Sequence, residues 1–335
     1  MAADPTKLKV AKQFDRGGTF FAMARVPGTS RVFVGSSEAR VCNVDLAAEQ
    51  LVWTEWLGHE SYVTSVALAG NSVISGGWDG KLIWWDREAG SIDRKLDAHA
   101  KWIRAVATSN DGRLVASVSD DMLCRIWNAS TGELVHTLAG HEPITPHHYP
   151  SMLYAVTFSP DGQFVATADK VGHIVVWNVA DGKSVTTLEA PTMYTWDPKQ
   201  RRHSIGGIRS LAFSPDGKLL AVGGTGQINN IDHLEAMGRV EIFEWQSGKR
   251  TVEQGGMKFQ GLIERLEFSS TGNWLLGAGG ANDGFVVFFD PADGKILHEE
   301  KAPMHVYDFE ILDSGDAFFA CGNGRIVRYE FIAEA

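Results

Sequence analysis

The sequence predicts an all-β ring of seven four-stranded antiparallel sheets that closes on itself. Three observations lead there. A four-residue turn recurs in near-identical form, as SNDG at 109–112, SPDG at 159–162 and 214–217, and SSTG at 269–272. Between the turns, short apolar-rich segments alternate with Gly and Asp punctuation, four to a period, and no stretch carries the periodicity of an amphipathic helix. Weaker copies of the turn end at Gly28, Gly70 and Gly315, so successive turn glycines stand 42, 42, 50, 55, 55 and 43 residues apart. The residues after Gly315 and those up to Gly28 together make 48, one further period.

Taken in order, Leu8–Phe14 reads as a strand without a sheet of its own. The units then run approximately over 17–57, 58–98, 99–140, 141–190, 206–260, 261–303 and 304–335, within one domain spanning 1–335. The third unit is the cleanest, with strands expected at Ile103–Thr108, Arg113–Val118, Leu123–Trp127 and Glu133–Leu138. The longer intervals place their excess in loops at 142–151, 190–206 and 225–238. After Gly315 only Ala317–Cys321 and Arg325–Phe331 can be placed, so the last sheet lacks an outer strand. Leu8–Phe14 is free to supply it, and closure of this kind protects sheet edges that would otherwise template association.

Composition narrows the function classes. The chain has 335 residues, 44% of them hydrophobic, enough for a sizeable core. Its 31 basic and 41 acidic residues give a formal charge of −10 with no long run of either sign, which argues against a general nucleic-acid or anionic-membrane surface. Cys42, Cys124 and Cys321 lie far apart with no Cys-x-x-Cys spacing, as expected of reduced, buried residues in the cytoplasm. The N-terminal stretch lacks the apolar core of a signal peptide, and no run is long enough to span a membrane as a helix.

Certain dipeptides recur with the turns: Gly58-His59, Gly140-His141 and the variant Ala98-His99, then Trp85-Asp86 and the variants Trp127-Asn128 and Trp177-Asn178. In these the chain resembles the WD-repeat (WD40) β-propeller family over nearly its whole length. The likeness is strongest in units two to four. It weakens where Val44-Asp45, Trp245-Gln246, Phe289-Asp290 and Tyr329-Glu330 stand at the corresponding place.

A serine, a histidine and an aspartate in one unit also suggest a hydrolase triad. Ser75, Asp79 and Trp85 recur at the same offsets as Ser117, Asp121 and Trp127, preceded by His59 and His99. A constellation present twice is a structural device, and the G-x-S-x-G elbow of a nucleophilic serine is missing. The resemblance implies a hydrogen-bonded network from Trp to Ser to His to Asp. In unit four Thr167 and Trp177 are present, but Val171 stands where the aspartate is expected, so that network should be incomplete.

The resemblance further implies docking on the face formed by loops between outer and inner strands. One residue past the first apolar position of each inner strand lie Phe21, Thr64, Arg104, Tyr154, Arg209, Glu264 and Tyr307, a ring expected around one mouth of the central channel. The family places Tyr62, Trp78, Trp102, Asp120, Met152, Lys170 and His305 nearby. Aromatics with arginines are a hot-spot composition. The expectation is therefore a non-enzymatic scaffold for a protein or peptide, monomeric alone, without cofactor or metal. The alternative is a propeller hydrolase or lactonase-like enzyme with its site in the channel mouth, which generic ester, lactone and glycoside substrates would reveal.

Other motifs fail on spacing. WNVADGKS lacks the first glycine of a phosphate-binding loop, GTGQIN lacks its third glycine, and His59-Glu60, His141-Glu142 and His298-Glu299 lack the second histidine of a zinc-protease helix. His147-His148, with His173 and His203, could approach a metal, but a histidine pair in a Pro-flanked loop is more simply solvated or packed on a partner. The locally basic DPKQRRHS at 197–204 reads as a solvated loop, or else a contact for an acidic peptide or phosphate.

Overall fold

The computed structural model describes residues 4–199, 202–229, 236–281 and 283–332. The molecule is an all-β propeller of antiparallel sheets. Among the described residues the only helical elements are two 3-10 turns, Pro5–Lys7 and Pro191–Met193. Five sheets have four strands each, connected by hairpins in chain order; one comprises Val63–Ala69, Ser72–Gly77, Lys81–Asp86 and Ile92–Asp97.

The recurrent turn explains its own sequence. In SNDG and SPDG the serine hydroxyl donates to the aspartate, at 2.7 Å for Ser109–Asp111 and 2.6 Å for Ser159–Asp161, and accepts from the backbone N–H of Leu114 or Phe164. The glycine takes the left-handed φ of +68° or +70° that closes the turn. Asp111 also accepts from Arg113 N, holding that residue in the turn, so the strand expected from Arg113 begins one residue later, at Leu114–Ser119. After the tryptophan, Asp86 and Asn128 are interchangeable. Either side-chain oxygen accepts two turn N–H groups, from Glu88 and Ala89 or from Ser130 and Thr131.

Seven separate sheets were expected, and here the structure differs: the two ends of the chain share one six-stranded sheet, in the order Val306–Ile311, Ala317–Phe331, Leu8–Arg25, Arg31–Ser36, Arg40–Asp45, Thr54–Leu57. Gly17 and Gly18, at φ +86° and +72°, allow Leu8–Arg25 to continue through a point that reads as a break, with a register shift between Asp15 and Thr19. Leu8–Asp15 pairs antiparallel with Ala317–Phe331, from Leu8 opposite Phe331 to Asp15 opposite Arg325. The expected loop at 190–206 carries a hairpin, Tyr194–Asp197 with His203–Gly206. Residues 200 and 201 of that loop, and 230–235 of the loop at 225–238, lie outside the described residues.

The core lies between sheets. Ala67, Ile74, Leu82 and Trp84 of one sheet pack on Ile103, Val106, Val115 and Trp127 of the next, and a comparable cluster within the six-stranded sheet joins Phe319, Cys321 and Ile326 to Phe20, Val32 and Val34. Each sheet is covered on both faces, which is why Ile83, Trp84 and Trp85 are all buried although alternate residues of a strand point to opposite sides.

Candidate functional site

In the second sheet, Trp85 Nε1 donates to Ser75 Oγ at 2.8 Å, His59 Nε2 lies 2.8 Å from the same oxygen, and His59 Nδ1 lies 3.0 Å from Asp79 Oδ2. The third sheet repeats this with Trp127, Ser117, His99 and Asp121 at 2.9, 2.8 and 3.1 Å. With the imidazole Nδ1–H donating to the carboxylate, Nε2 accepts the serine proton and the serine oxygen accepts the indole N–H. Burial lowers the His99 pKa, which favours this neutral form. Burial alone would raise that of Asp121, but hydrogen bonds from His99, Arg125 and the Leu123 backbone N–H bring it well below the ordinary carboxylate value. The proton order is that of a hydrolase triad, yet Ser75 and Ser117 are 0% exposed, and each oxygen already accepts an indole N–H. No substrate carbonyl reaches either serine. The glycines before His59 and His141 have a packing reason: a Cβ on Gly58 would sit 2.7 Å from the Trp85 ring, and one on Gly140 2.6 Å from Trp177.

The network expected to be incomplete in the fourth sheet is complete. Asp169, two positions before Val171, accepts from His141 Nδ1 at 2.8 Å, while His141 Nε2 and Trp177 Nε1 meet Thr167 Oγ1 at 2.8 and 2.9 Å. Asp169 sits at the end of Phe164–Asp169 rather than in the following turn.

A central channel of about 610 Å³ is lined by the inner strands, and Phe21, Thr64, Arg104, Tyr154, Arg209, Glu264 and Tyr307 all border it. One device aims all seven. In each inner strand this residue is the unpaired one at a register shift: Phe21 between Phe20 and Ala22, Arg104 between Ile103 and Ala105, Tyr154 between Leu153 and Ala155, with the same break at Thr64, Arg209, Glu264 and Tyr307. A bulge of this kind turns a side chain out of the alternation of its strand.

Around the mouth the rings form an arc. Tyr307 meets Phe21 edge-on at 5.2 Å, Phe21 meets Tyr62 at 5.6 Å, Tyr62 meets Trp78 at 4.7 Å, and Trp78 stacks on Trp102 at 4.1 Å and 5°. Tyr62 and Trp102 remain 39% and 43% exposed. Arg104 forks onto Asp120 at 2.8 and 2.7 Å and lies against Trp102 and Tyr154, while Arg209 lies 3.6 Å over the Tyr154 ring. Tyr154 donates to Met152 Sδ at 2.8 Å. Lys170, buried, donates to Pro150 O at 3.3 Å, and burial together with Arg209 and Arg104 pushes its ammonium down to about 8. His305 faces Glu264 at 3.5 Å and lies tilted against the Tyr307 ring at 4.3 Å.

A family model described as "WD domain, G-beta repeat" matches residues 50–86, 90–128, 132–178 and 196–230. Over these four stretches the chain carries WD repeats. Nuclear distribution protein PAC1-2 of Uncinocarpus reesii is 36% identical over 100 residues, covering 26% of this chain and 22% of that protein. Small ribosomal subunit protein RACK1y of Oryza sativa subsp. japonica is 31% identical over 85 residues, 24% and 25% of the two chains. A probable E3 ubiquitin ligase complex SCF subunit sconB of Arthroderma otae is 46% identical over 46 residues, 14% of this chain and 7% of that one. The matches therefore span a quarter or less of these relatives.

Elsewhere in this WD-repeat protein, the histidines singled out for a metal are dispersed in role. His147 stacks 3.5 Å from Trp196, and His173 pairs with Glu189 at 2.6 Å. Among the described residues no group of three or more His, Cys, Asp or Glu is placed to hold a metal ion, and no helix is long and apolar enough to cross a membrane. Sequence reasoning missed Asp169, the hairpin after Met193, and a charged cluster deep in the channel, where Arg265 lies 3.2 Å from Asp308 and 3.7 Å from Glu267 with Glu310 beside them.

Proposed function

We propose that this WD-repeat protein is a non-enzymatic scaffold that docks a protein or peptide on the loop face around the channel mouth. The observation that carries the reading is the aromatic arc, in which Tyr62 and Trp102 stay open to water although Trp78 and Arg104 hold them in place. Exposed, pre-ordered aromatic rings flanked by arginine are the usual anchors of an interface, because little conformational freedom is lost when a partner covers them. Two relatives are named as parts of assemblies, a small ribosomal subunit protein and a subunit of an SCF complex, which supports a docking role here. The partner is a protein rather than nucleic acid or membrane, and the chain alone is a monomer in the cytoplasm, a setting that suits three free, buried cysteines.

We read the six-stranded sheet as two blades, so that one domain over 1–335 forms a seven-bladed ring with Leu8–Phe14 as the outer strand of the last blade. The pairing of Leu8 with Phe331 and the apolar cluster between Phe319 and Phe20 support this. The test of the docking reading is affinity capture followed by measurement of the dissociation constant for wild type and Trp102→Ala. Binding weakened by about 2 kcal/mol or more is expected of an aromatic anchor. Turnover of an ester, lactone or glycoside that disappears with Arg104 or Tyr154 would replace the scaffold reading with an enzyme.

A further inference from the structure

We propose that the docking face recognises an acidic peptide, anchoring one Asp or Glu carboxylate between Lys170, Arg209 and Arg104 while the neighbouring residue lies on the Trp78–Trp102 stack; this rests on the docking reading above. The argument begins with charge. The whole chain carries −10, yet three cations from three successive sheets, Arg104, Lys170 and Arg209, converge at one side of the mouth. Asp120 hydrogen-bonds Arg104 in a two-point fork, and its charge also acts on Lys170 and Arg209. Glu264 lies on the far side of Arg209 and faces His305. Lys170 is left with one backbone carbonyl, at 3.3 Å. Arg209 interacts with Tyr154 and Glu264 but keeps an unmet donor: its Nη1 is buried and has no hydrogen-bond partner among the described residues. A buried guanidinium N–H without an acceptor is costly, and an incoming carboxylate supplies one.

The geometry also sets the reach. Arg104 touches both halves of the site, lying against Tyr154, which carries Arg209, and against Trp102, the exposed face of the indole pair. A peptide that seats a carboxylate on the cations therefore lays its adjacent side chain on Trp102. A separate consequence concerns protons. The Lys170 ammonium, at about 8 in the free protein, is opposed by burial, Arg209 and Arg104 and favoured only by Asp120. A bound carboxylate adds a second favourable charge, so acidic-peptide binding takes up a proton and weakens as pH rises past that value.

The test is selection of a phage-displayed random peptide library on the intact protein, followed by fluorescence anisotropy of the synthesised winners. Wild type is compared with Trp102→Ala, Lys170→Met and Arg209→Met, each checked by thermal melting. Lys170→Met keeps the buried stem and removes only the charge. Peptides that lose affinity with Trp102→Ala, lose about ten-fold or more when one Asp or Glu is changed to its amide, and lose little further in Lys170→Met, support the proposal. So does wild-type affinity that falls above pH 8 and becomes flat in Lys170→Met. Peptides that depend on Trp102 but ignore amidation and Lys170→Met overturn the acidic anchor and leave the docking reading intact. A phosphoserine replacement that binds over ten-fold tighter than the acidic residue overturns the carboxylate in favour of phosphate. Failure to select any peptide that depends on Trp102 counts against both readings.

Discussion

Ser75, Ser117 and Thr167 each hold a hydroxyl between an indole N–H and an imidazole, and the geometry of these groups is nearly identical in three sheets. Trp85 is fully buried beside the first of them, so Trp85→Ala should cost about 3–5 kcal/mol in urea unfolding. Trp102 is partly open and stacked on one face, so Trp102→Ala should cost about 1 kcal/mol or less. Equal losses would make Trp102 a core residue and remove the ground for a docking face. Asp169 gives a second comparison: Asp169→Ala, which leaves His141 without its buried carboxylate, should cost about 2 kcal/mol, and Val171→Ala under about 1 kcal/mol. The Ser-x-Asp-Gly turn was legible in the sequence because all its hydrogen bonds close within six residues. The aspartate of the fourth network was not, because what fixes it is the distance to a histidine 28 residues away, which either of two backbone positions can satisfy.

At the scale of elements, the strand Leu8–Arg25 has two partners and two jobs. Its first half pairs with Ala317–Phe331, and its second half starts the sheet that includes Arg31–Ser36. Polar contacts reinforce it: Met23 N donates to Asp308 at 2.9 Å, and Arg25 pairs with Asp313 at 2.8 Å. Deleting residues 1–14 should expose the edge of Ala317–Phe331, lower the melting temperature and produce concentration-dependent light scattering. A truncated chain that melts like the intact one would show that this strand adds nothing. The pairing of Leu8–Phe14 with the strand after Gly315 could be read from sequence, since it follows from counting turns. The continuous run through Gly17 and Gly18 could not, because paired glycines at positive φ look like a turn until a facing strand continues past them. The short hairpin after Met193 escaped for a related reason, as its two strands are four residues each and carry little apolar alternation.

Across the whole molecule the channel has two electrostatic ends, cations with aromatics at the mouth ringed by Trp78 and Trp102 and carboxylates with arginines toward the other. Glu267 keeps 34% of its side-chain surface exposed but is surrounded by protein beside the channel residue Arg265, and its pKa is pushed up to about 7, by burial first and then by Asp308, against the pull of Arg265 and Arg25. A carboxyl whose folded pKa is raised above its unfolded value of 4.5 contributes stability that is complete below the unfolded value and lost as pH rises through the folded one. The melting temperature should therefore decline between about pH 4.5 and 7 from this group, and the decline should be shallower in Glu267→Gln. A parallel decline in both proteins would assign it elsewhere. Apart from Arg265 in the same strand, the neighbours of this group come from other inner strands, Asp308 being 41 residues on and Arg25 242 residues back in the chain, so no local pattern announced them. The pairing of the two chain ends carries a last consequence. Leu8 faces Phe331, and Ile332 N donates to Lys7 O at 2.9 Å, so residues 7 and 332 lie close enough to be joined. Joining the ends by a short linker and opening the exposed hairpin between Ala180 and Asp181 should yield a circular permutant with the same near-ultraviolet circular dichroism, the stacked indoles intact, although every strand order along its sequence has been rotated.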